Sequence, residues 1–99
     1  MKLTSKQKKY LKGLGHPLKP IIQLGKEGVS KEFIANLEDC LEHHELIKIK
    51  VLESAPAEKI ELAAQIEKKT KGCVAQIIGK TLLFYRAFKE DPEIKLPKA

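Results

Sequence analysis

The clearest secondary-structure signal in the chain lies at residues 46–52, which read Leu46-Ile47-Lys48-Ile49-Lys50-Val51-Leu52. Apolar and cationic side chains alternate along this stretch, and a β-strand places alternate side chains on opposite faces of its sheet. The apolar side chains of Ile47, Ile49 and Val51 are therefore predicted to point into a core. Lys48 and Lys50 are predicted to point the other way, so the pattern indicates a strand in a sheet with one buried face.

Helical and strand-like patterns alternate on both sides of this strand. The predicted elements in chain order are a helix at 4–13, a strand at 21–24, a helix at 31–45, the strand at 46–52, a helix at 56–70 and strands at 73–78 and 81–85. Thr4, with Gln7 three residues on, and Ser30 have the side chains of helix N-caps. The order predicts an α/β fold of the type αβαβαββ, with a mixed four-stranded sheet packed against helices. The first three strands are expected to pair in parallel and the last two as an antiparallel hairpin.

Residue spacing also predicts which helix faces are buried and where helices end. The second helix has one apolar stripe, formed by Phe33, Ile34, Leu37, Cys40, Leu41 and His44. The third helix is expected to bury Ile60, Ala63, Ala64 and Ile66, or their neighbours. Gly13, Gly15 and Pro17 are expected to end the first helix. A single domain is predicted over residues 1–99, with a mobile or loosely docked tail at about 89–99.

Charge is distributed unevenly along the chain, whose formal net charge is +6. Residues 1–26 contain seven lysines and no acidic residue, while residues 27–79 contain seven basic and ten acidic residues. This asymmetry predicts one positive face with a polyanionic partner. Of the 19 cationic residues only Arg86 is an arginine, which favours contacts to phosphates over reading of base edges.

Composition argues against several classes of protein. No apolar stretch approaches the length of a membrane span, and the first residues do not resemble a secretory signal, so a cytoplasmic protein with no membrane partner is predicted.

Cys40, His43 and His44 have helix-compatible ligand spacing, but a zinc site needs a fourth ligand. No catalytic set stands out, and a cysteine on a buried helix face is inert more often than reactive. We expect no enzyme activity, no metal or other cofactor, and no small-molecule substrate.

The loop Gly25-Lys26-Glu27-Gly28 carries the strongest functional signal. It lies between a predicted strand and a predicted helix start, where backbone N–H groups are free to bind an anion. The glycines allow a close approach of backbone to ligand, and Lys26 adds a positive charge. The same residues also suit an ordinary strand–helix turn, and the loop alone does not decide between these interpretations. Lys12, Lys19 and Lys26 are expected on one side of the molecule.

Two further segments near the C-terminus carry cations. Gly79-Lys80-Thr81 ends like a phosphate-binding P-loop, but Val74 stands where that motif requires a glycine, and the segment is predicted to be a hairpin tip. Lys80 remains an exposed cation there. Arg86 follows Tyr85 at the end of the last strand. It could bind a phosphate or stack on a base beside Tyr85, or it could form a structural ion pair.

Four stretches taken together resemble the CRM domain, typified by bacterial YhbY-type ribosome-associated proteins. They are residues 11–20 (Leu-Lys-Gly-Leu, then His-Pro-Leu-Lys-Pro), the loop at 25–28, residues 41–48 and residues 79–86. The resemblance implies a fold similar to the C-terminal domain of translation initiation factor three. It also implies binding of structured RNA through the GxxG loop, here Gly25 and Gly28 with Lys26 between them. Glu27 departs from a purely basic loop, and Ala87 stands where proline is frequent.

The resulting hypothesis is a non-enzymatic protein that binds ribosomal RNA, and the resemblance implies a role in assembly of the large ribosomal subunit on its precursor. The candidate RNA-binding residues are Lys6, Lys9, Lys12, His16, Lys19, Gly25, Lys26, Gly28, Lys80 and Arg86. The alternative is a protein-interaction adaptor that docks through the acidic second helix.

Overall fold

The computed structural model describes residues 2–98; Met1 and Ala99, the two ends of the predicted domain and tail, lie outside the described residues. The elements in chain order are α1 (Ser5–Gly15), β1 (Ile22–Leu24), α2 (Lys31–His43), β2 (Leu46–Val51), α3 (Lys59–Lys69), β3 (Cys73–Ile78) and β4 (Thr81–Tyr85). This order confirms the predicted αβαβαββ fold. None of the helices found in residues 2–98 combines the length and apolar character needed to cross a bilayer.

The four strands form one mixed sheet in the order β1-β2-β4-β3. β1 and β2 are parallel, whereas β4 is antiparallel to both of its neighbours. The predicted parallel pairing is correct for β1 with β2 but wrong for β3, because β4 lies between β2 and β3. Four consecutive residues of β4, from Leu82 to Tyr85, are buried, so side chains on both faces of this strand are packed. Burial of both faces is typical of a central strand.

Helices pack on both faces of the sheet. On one face, α2 and α3 bury their apolar side chains against alternate residues of β2 and β4, including Ile47, Ile49, Leu82 and Phe84. On the other face, Leu11 of α1 packs in a second cluster with Leu83 and Tyr85 of β4. The sheet is therefore the middle of three layers, with α1 alone on one side.

The helix boundaries show where local sequence rules hold. The Thr4 hydroxyl accepts the Gln7 N–H at 3.2 Å and the Gln7 side chain accepts the Thr4 N–H at 3.1 Å, which confirms the predicted capping box. Ser30 caps α2 through the Phe33 N–H at 3.1 Å. The expected end of α1 at Gly13 is wrong, because the helix continues to Gly15.

The predicted faces of α2 and α3 are correct only in part. In α3, Leu62, Ala63 and Ile66 are buried, whereas Ile60 is 76% exposed. The helix begins at Lys59, three residues later than predicted, and Ile60 in its first turn faces solvent. His44 does not continue the stripe of α2, because it is the exposed C-cap in an extended conformation.

The segment after β4 is attached to the body of the protein through Glu45. This carboxylate is 4% exposed and accepts the backbone N–H groups of Phe88, Glu93 and Ile94 at 2.6–2.9 Å. The Gln7 side chain also donates to the Pro97 carbonyl at 3.1 Å. These contacts define a docked path for residues 88–97, and the mobility of the 89–99 tail stays a prediction.

Candidate nucleic-acid interface

The Gly25–Gly28 loop is a tight turn between the end of β1 and the start of α2. The Gly28 N–H donates to the Gly25 carbonyl at 2.9 Å, which places Lys26 and Glu27 at an exposed tip. Gly28 has φ +65°, and a Cβ there would lie 2.9 Å from Cγ of Pro56. The left-handed backbone and the contact with Pro56 both require glycine, so the fold itself accounts for Gly28.

Gly25 differs from Gly28 because the fold does not require glycine there. Its φ is not positive, and a Cβ would meet only Leu52 at 3.4 Å and Ser54 at 3.6 Å, which are ordinary contacts. A glycine without such a structural reason leaves the backbone open to close approach by a ligand. Together with Lys26, this position favours the anion-binding interpretation over that of a plain turn.

Lys80 lies at the same end of the sheet as this loop. Leu24, at the end of β1, pairs with Val51, and the Val51 N–H donates to the Lys80 carbonyl at 2.7 Å. The Lys80 ammonium forms an ion pair with Glu53, which lowers the pKa of that exposed carboxyl through the hydrogen bond first and the charge second. The cation at the hairpin tip is therefore already paired with an acidic side chain.

The sheet separates basic and acidic helices. α1 contains Lys6, Lys8, Lys9 and Lys12 and no acidic residue, a local charge of +4. α2, on the opposite face, contains one lysine and four acidic residues, a local charge of 1 − 4 = −3. Lys6, Lys9, Lys12, His16 and Lys19 are all exposed. α3, on the same face as α2, contains three lysines and two acidic residues, so the helices of that face carry −3 + 1 = −2 against +4 for α1. The charge asymmetry along the sequence thus becomes an asymmetry between the helices on the two faces of the sheet.

Arg86 is separated from the other candidate residues. Its backbone N–H donates to the Glu45 carbonyl, just before β2 begins, so Arg86 lies at the opposite end of the sheet from the glycine loop. Its Nη1 donates to both carboxylate oxygens of Glu38, at 2.8 and 2.9 Å. Tyr85 is 2% exposed, so its ring is not open to a base, and the RNA contact of Arg86 stays a prediction.

Two further cations, Lys48 and Lys50, lie on the same sheet face as α1 and were not among the predicted site residues. Both belong to β2 and point to the face opposite Ile47 and Ile49, which is the face that carries α1. Lys48 Nζ donates to the carbonyl of His16, at the end of α1, at 3.4 Å. The alternating pattern showed that these lysines leave the core. The packing side of α1, which places that helix on the same sheet face as both lysines, could not be read from local spacing.

The residues considered for metal binding do not gather into a metal site in the described chain. Between residues 2 and 98, no group of three or more His, Cys, Asp or Glu side chains is arranged to hold a metal ion. Burial raises the pKa of the Cys40 thiol, with a smaller contribution from Asp39, and burial also raises the pKa of Cys73. Reactive thiolates instead occupy exposed, electropositive surroundings. Gly79 and Lys80 form a hairpin tip, as predicted.

The fold and the charged surface define a small α/β domain with one basic face and a glycine loop at the edge of its sheet. The chain belongs to the CRS1 / YhbY (CRM) domain family, whose model matches residues 3–86. The predicted resemblance to this family is confirmed.

Known proteins of similar sequence carry RNA-binding names. "Probable RNA-binding protein YqeI" of Bacillus subtilis is 39% identical over 95 residues, covering 96% of this chain and 99% of the relative. An "RNA-binding protein" of Haemophilus influenzae is 41% identical over 96 residues, covering 97% and 96%. The solution structure of the hypothetical protein SAV1595 from Staphylococcus aureus matches with a TM-score of 0.82 and 43% identity, over 97% of this chain and 100% of the other.

Proposed function

We propose that this chain is a cytoplasmic, non-enzymatic RNA-binding protein that binds structured ribosomal RNA and acts in assembly of the large ribosomal subunit. The observation that carries the proposal is the separation of charge by the sheet. An acid-free helix and the glycine loop form a surface suited to phosphates, while the acidic α2 lies on the opposite face. Family membership and the RNA-binding names of the relatives support the same conclusion.

Each part of the proposed surface has a distinct task. The exposed ammonium groups contact phosphates, and they belong to Lys6, Lys9, Lys12, Lys19 and Lys26. Exposed His16 extends this surface beyond the end of α1. Gly25 lets the RNA backbone approach the loop, and Gly28 maintains the turn. Lys80 exchanges its pairing with Glu53 for a phosphate, whereas we assign Arg86 a structural task through Glu38.

The experiment that tests this function identifies the RNA in cells. Ultraviolet crosslinking of the tagged chain, followed by sequencing of the attached RNA, is expected to recover ribosomal RNA of the large subunit. Gradient sedimentation is expected to place the chain with large-subunit precursors rather than with mature ribosomes. Recovery of unrelated RNAs alone would contradict the ribosomal assignment. Pull-downs of protein partners that survive nuclease treatment, without crosslinked RNA, would favour the adaptor that docks through α2.

A further inference from the structure

α1 leaves part of its own sheet face uncovered. The helix ends at Gly15, where a Cβ would lie 2.7 Å from Leu83, so the helix backbone sits directly on β4 at this point. The next row of side chains toward the glycine loop remains accessible. We call this row the open sheet face and define it as Gln23, Lys50, Thr81 and Ile78.

Backbone pairing places these four side chains side by side on the face that carries α1. Gln23 pairs with Lys50, Lys50 with Thr81, and Thr81 with Ile78, and directly paired residues point to the same face. Gln23 and Lys50 are exposed, Thr81 is half-buried, and Ile78 is 54% exposed. With strands about 4.8 Å apart, the row spans roughly 14 Å and fits a short run of nucleotides.

The charge of this face complements a nucleic acid. The four strands contain two lysines, Lys48 and Lys50, and no acidic residue, and both lysines lie on this face. The ion pairs found within residues 2–98 involve neither of them. Lys50 therefore presents an ammonium group that no carboxylate neutralises.

The open sheet face is continuous with the glycine loop. Gln23 precedes Gly25 by two residues, and Leu52 follows Lys50 by two residues, so each pair continues along the same side of its strand. Leu52 is also the side chain that a Cβ at Gly25 would meet, at 3.4 Å. The open sheet face therefore adjoins the glycine loop at Gly25 and Leu52.

Building on the proposed function, we propose that the open sheet face binds unpaired nucleotides of the RNA strand whose backbone contacts the Gly25–Gly28 loop. An unpaired strand offers base faces to the apolar Ile78 and base edges to the Gln23 amide and the Thr81 hydroxyl. A duplex hides its base faces by stacking and exposes base edges only in its shallow minor groove. The inference therefore narrows the ligand to RNA with an exposed single-stranded segment.

A crosslinking experiment tests the location. A benzophenone amino acid replaces Ile78 in one variant and Ile60 in a matched control, because Ile60 is also exposed but lies on α3, across the sheet. Each variant is irradiated with an unstructured oligouridine. The variant substituted at Ile78 is expected to form a protein–RNA adduct, and the one substituted at Ile60 is not.

The salt dependence of binding tests the contact between Lys50 and an RNA phosphate. Lys50→Gln is expected to reduce the slope of log K against log salt by about 0.7 with oligouridine. Lys68→Gln, an exposed lysine on α3, is expected to leave the slope unchanged. A blunt RNA duplex of equal length is expected to bind more weakly than oligouridine.

The outcomes separate the two proposals. If Lys26→Glu weakens RNA binding but position 78 crosslinks no better than position 60, the open sheet face is not the site and the inference is wrong. Equal slopes for Lys50→Gln and the unsubstituted chain, or tighter binding of the duplex, also overturn it. If the chain binds neither oligouridine nor the duplex, the inference is wrong, and the titration with a structured ribosomal RNA fragment separately decides the proposed function.

Discussion

Glu38 on α2 binds Arg86, at the end of β4, through two hydrogen bonds of 2.8 and 2.9 Å from Nη1 to the two carboxylate oxygens. The contact fixes α2 to one end of the sheet. The glycine loop lies at the other end. The guanidinium that the sequence offered as an RNA contact is thereby occupied by a neighbouring carboxylate.

Arg86→Ala is expected to lower the free energy of unfolding by about 1 kcal/mol, since the pair is partly exposed and water compensates for much of its loss. Urea denaturation measures this change. The salt slope of RNA binding is expected to stay that of the unsubstituted chain. If Arg86→Ala lost as much RNA affinity as Lys26→Glu, Arg86 would be an RNA contact after all.

Glu45→Ala is expected to detach the segment after β4. The buried carboxylate accepts three backbone N–H groups, and its loss should lower the free energy of unfolding by about 3 kcal/mol. Hydrogen exchange at Phe88, Glu93 and Ile94 should become faster than in the control Glu42→Ala, an exposed position on α2. Unchanged exchange at these amides would show that Glu45 does not hold the segment.

Gly13 and Gly15 provide a matched pair within α1. Gly15→Ala places a methyl group 2.7 Å from Leu83, which is fully buried, and should destabilise the protein by about 1–3 kcal/mol. Gly13→Ala meets nothing within 4 Å and should stabilise it by about 0.5–1 kcal/mol, because alanine favours a helix. Thermal unfolding distinguishes the two, and equal effects would contradict the close packing of α1 on β4.

Substitution of Gly25 should affect RNA binding, whereas substitution of Gly28 should affect the stability of the fold. Gly28→Ala forces a left-handed backbone on alanine and should lower the free energy of unfolding by about 1–2 kcal/mol. Gly25→Ala is expected to change stability little but to weaken RNA binding, because the methyl group blocks the approach of the RNA backbone. Denaturation and RNA titration of both variants check this. Undiminished RNA affinity in Gly25→Ala would make Gly25 an ordinary turn residue.

Local rules predicted the strands and the N-caps because those features depend on residues close in sequence. Alternation identified β2, and hydroxyl side chains identified the caps at Thr4 and Ser30. The position of β4 between β2 and β3 depends instead on burial of both its faces, which only the assembled sheet reveals. The end of α1 was placed two residues early because Gly13 does not stop the helix, which continues to Gly15, where the backbone contacts Leu83, a residue distant in sequence.

The candidate site was predictable to the same extent. The glycine loop and Lys26 were predicted from adjacent residues, and their contact with RNA stays a prediction. Lys50 was not among the predicted residues because its place on the face that carries α1 depends on which side of the sheet that helix covers. Arg86 was assigned to the RNA contacts because its partner Glu38 lies 48 positions away. The position of Lys50 and the pairing of Arg86 both depend on contacts between segments distant in sequence.

RNA binding at the glycine loop is tested most directly by the affinity of Lys26→Glu for a structured fragment of large-subunit ribosomal RNA. Fluorescence anisotropy measures this affinity over a series of salt concentrations. Lys68→Glu, on the opposite face, is the control, and circular dichroism verifies that both variants fold. For Lys26→Glu we expect weaker binding and a slope of log K against log salt reduced by about 0.7–0.9. For Lys68→Glu we expect little change in either quantity. Equal affinities for Lys26→Glu and the unsubstituted chain, or an equal loss in Lys68→Glu, would contradict the assignment of RNA to the glycine loop.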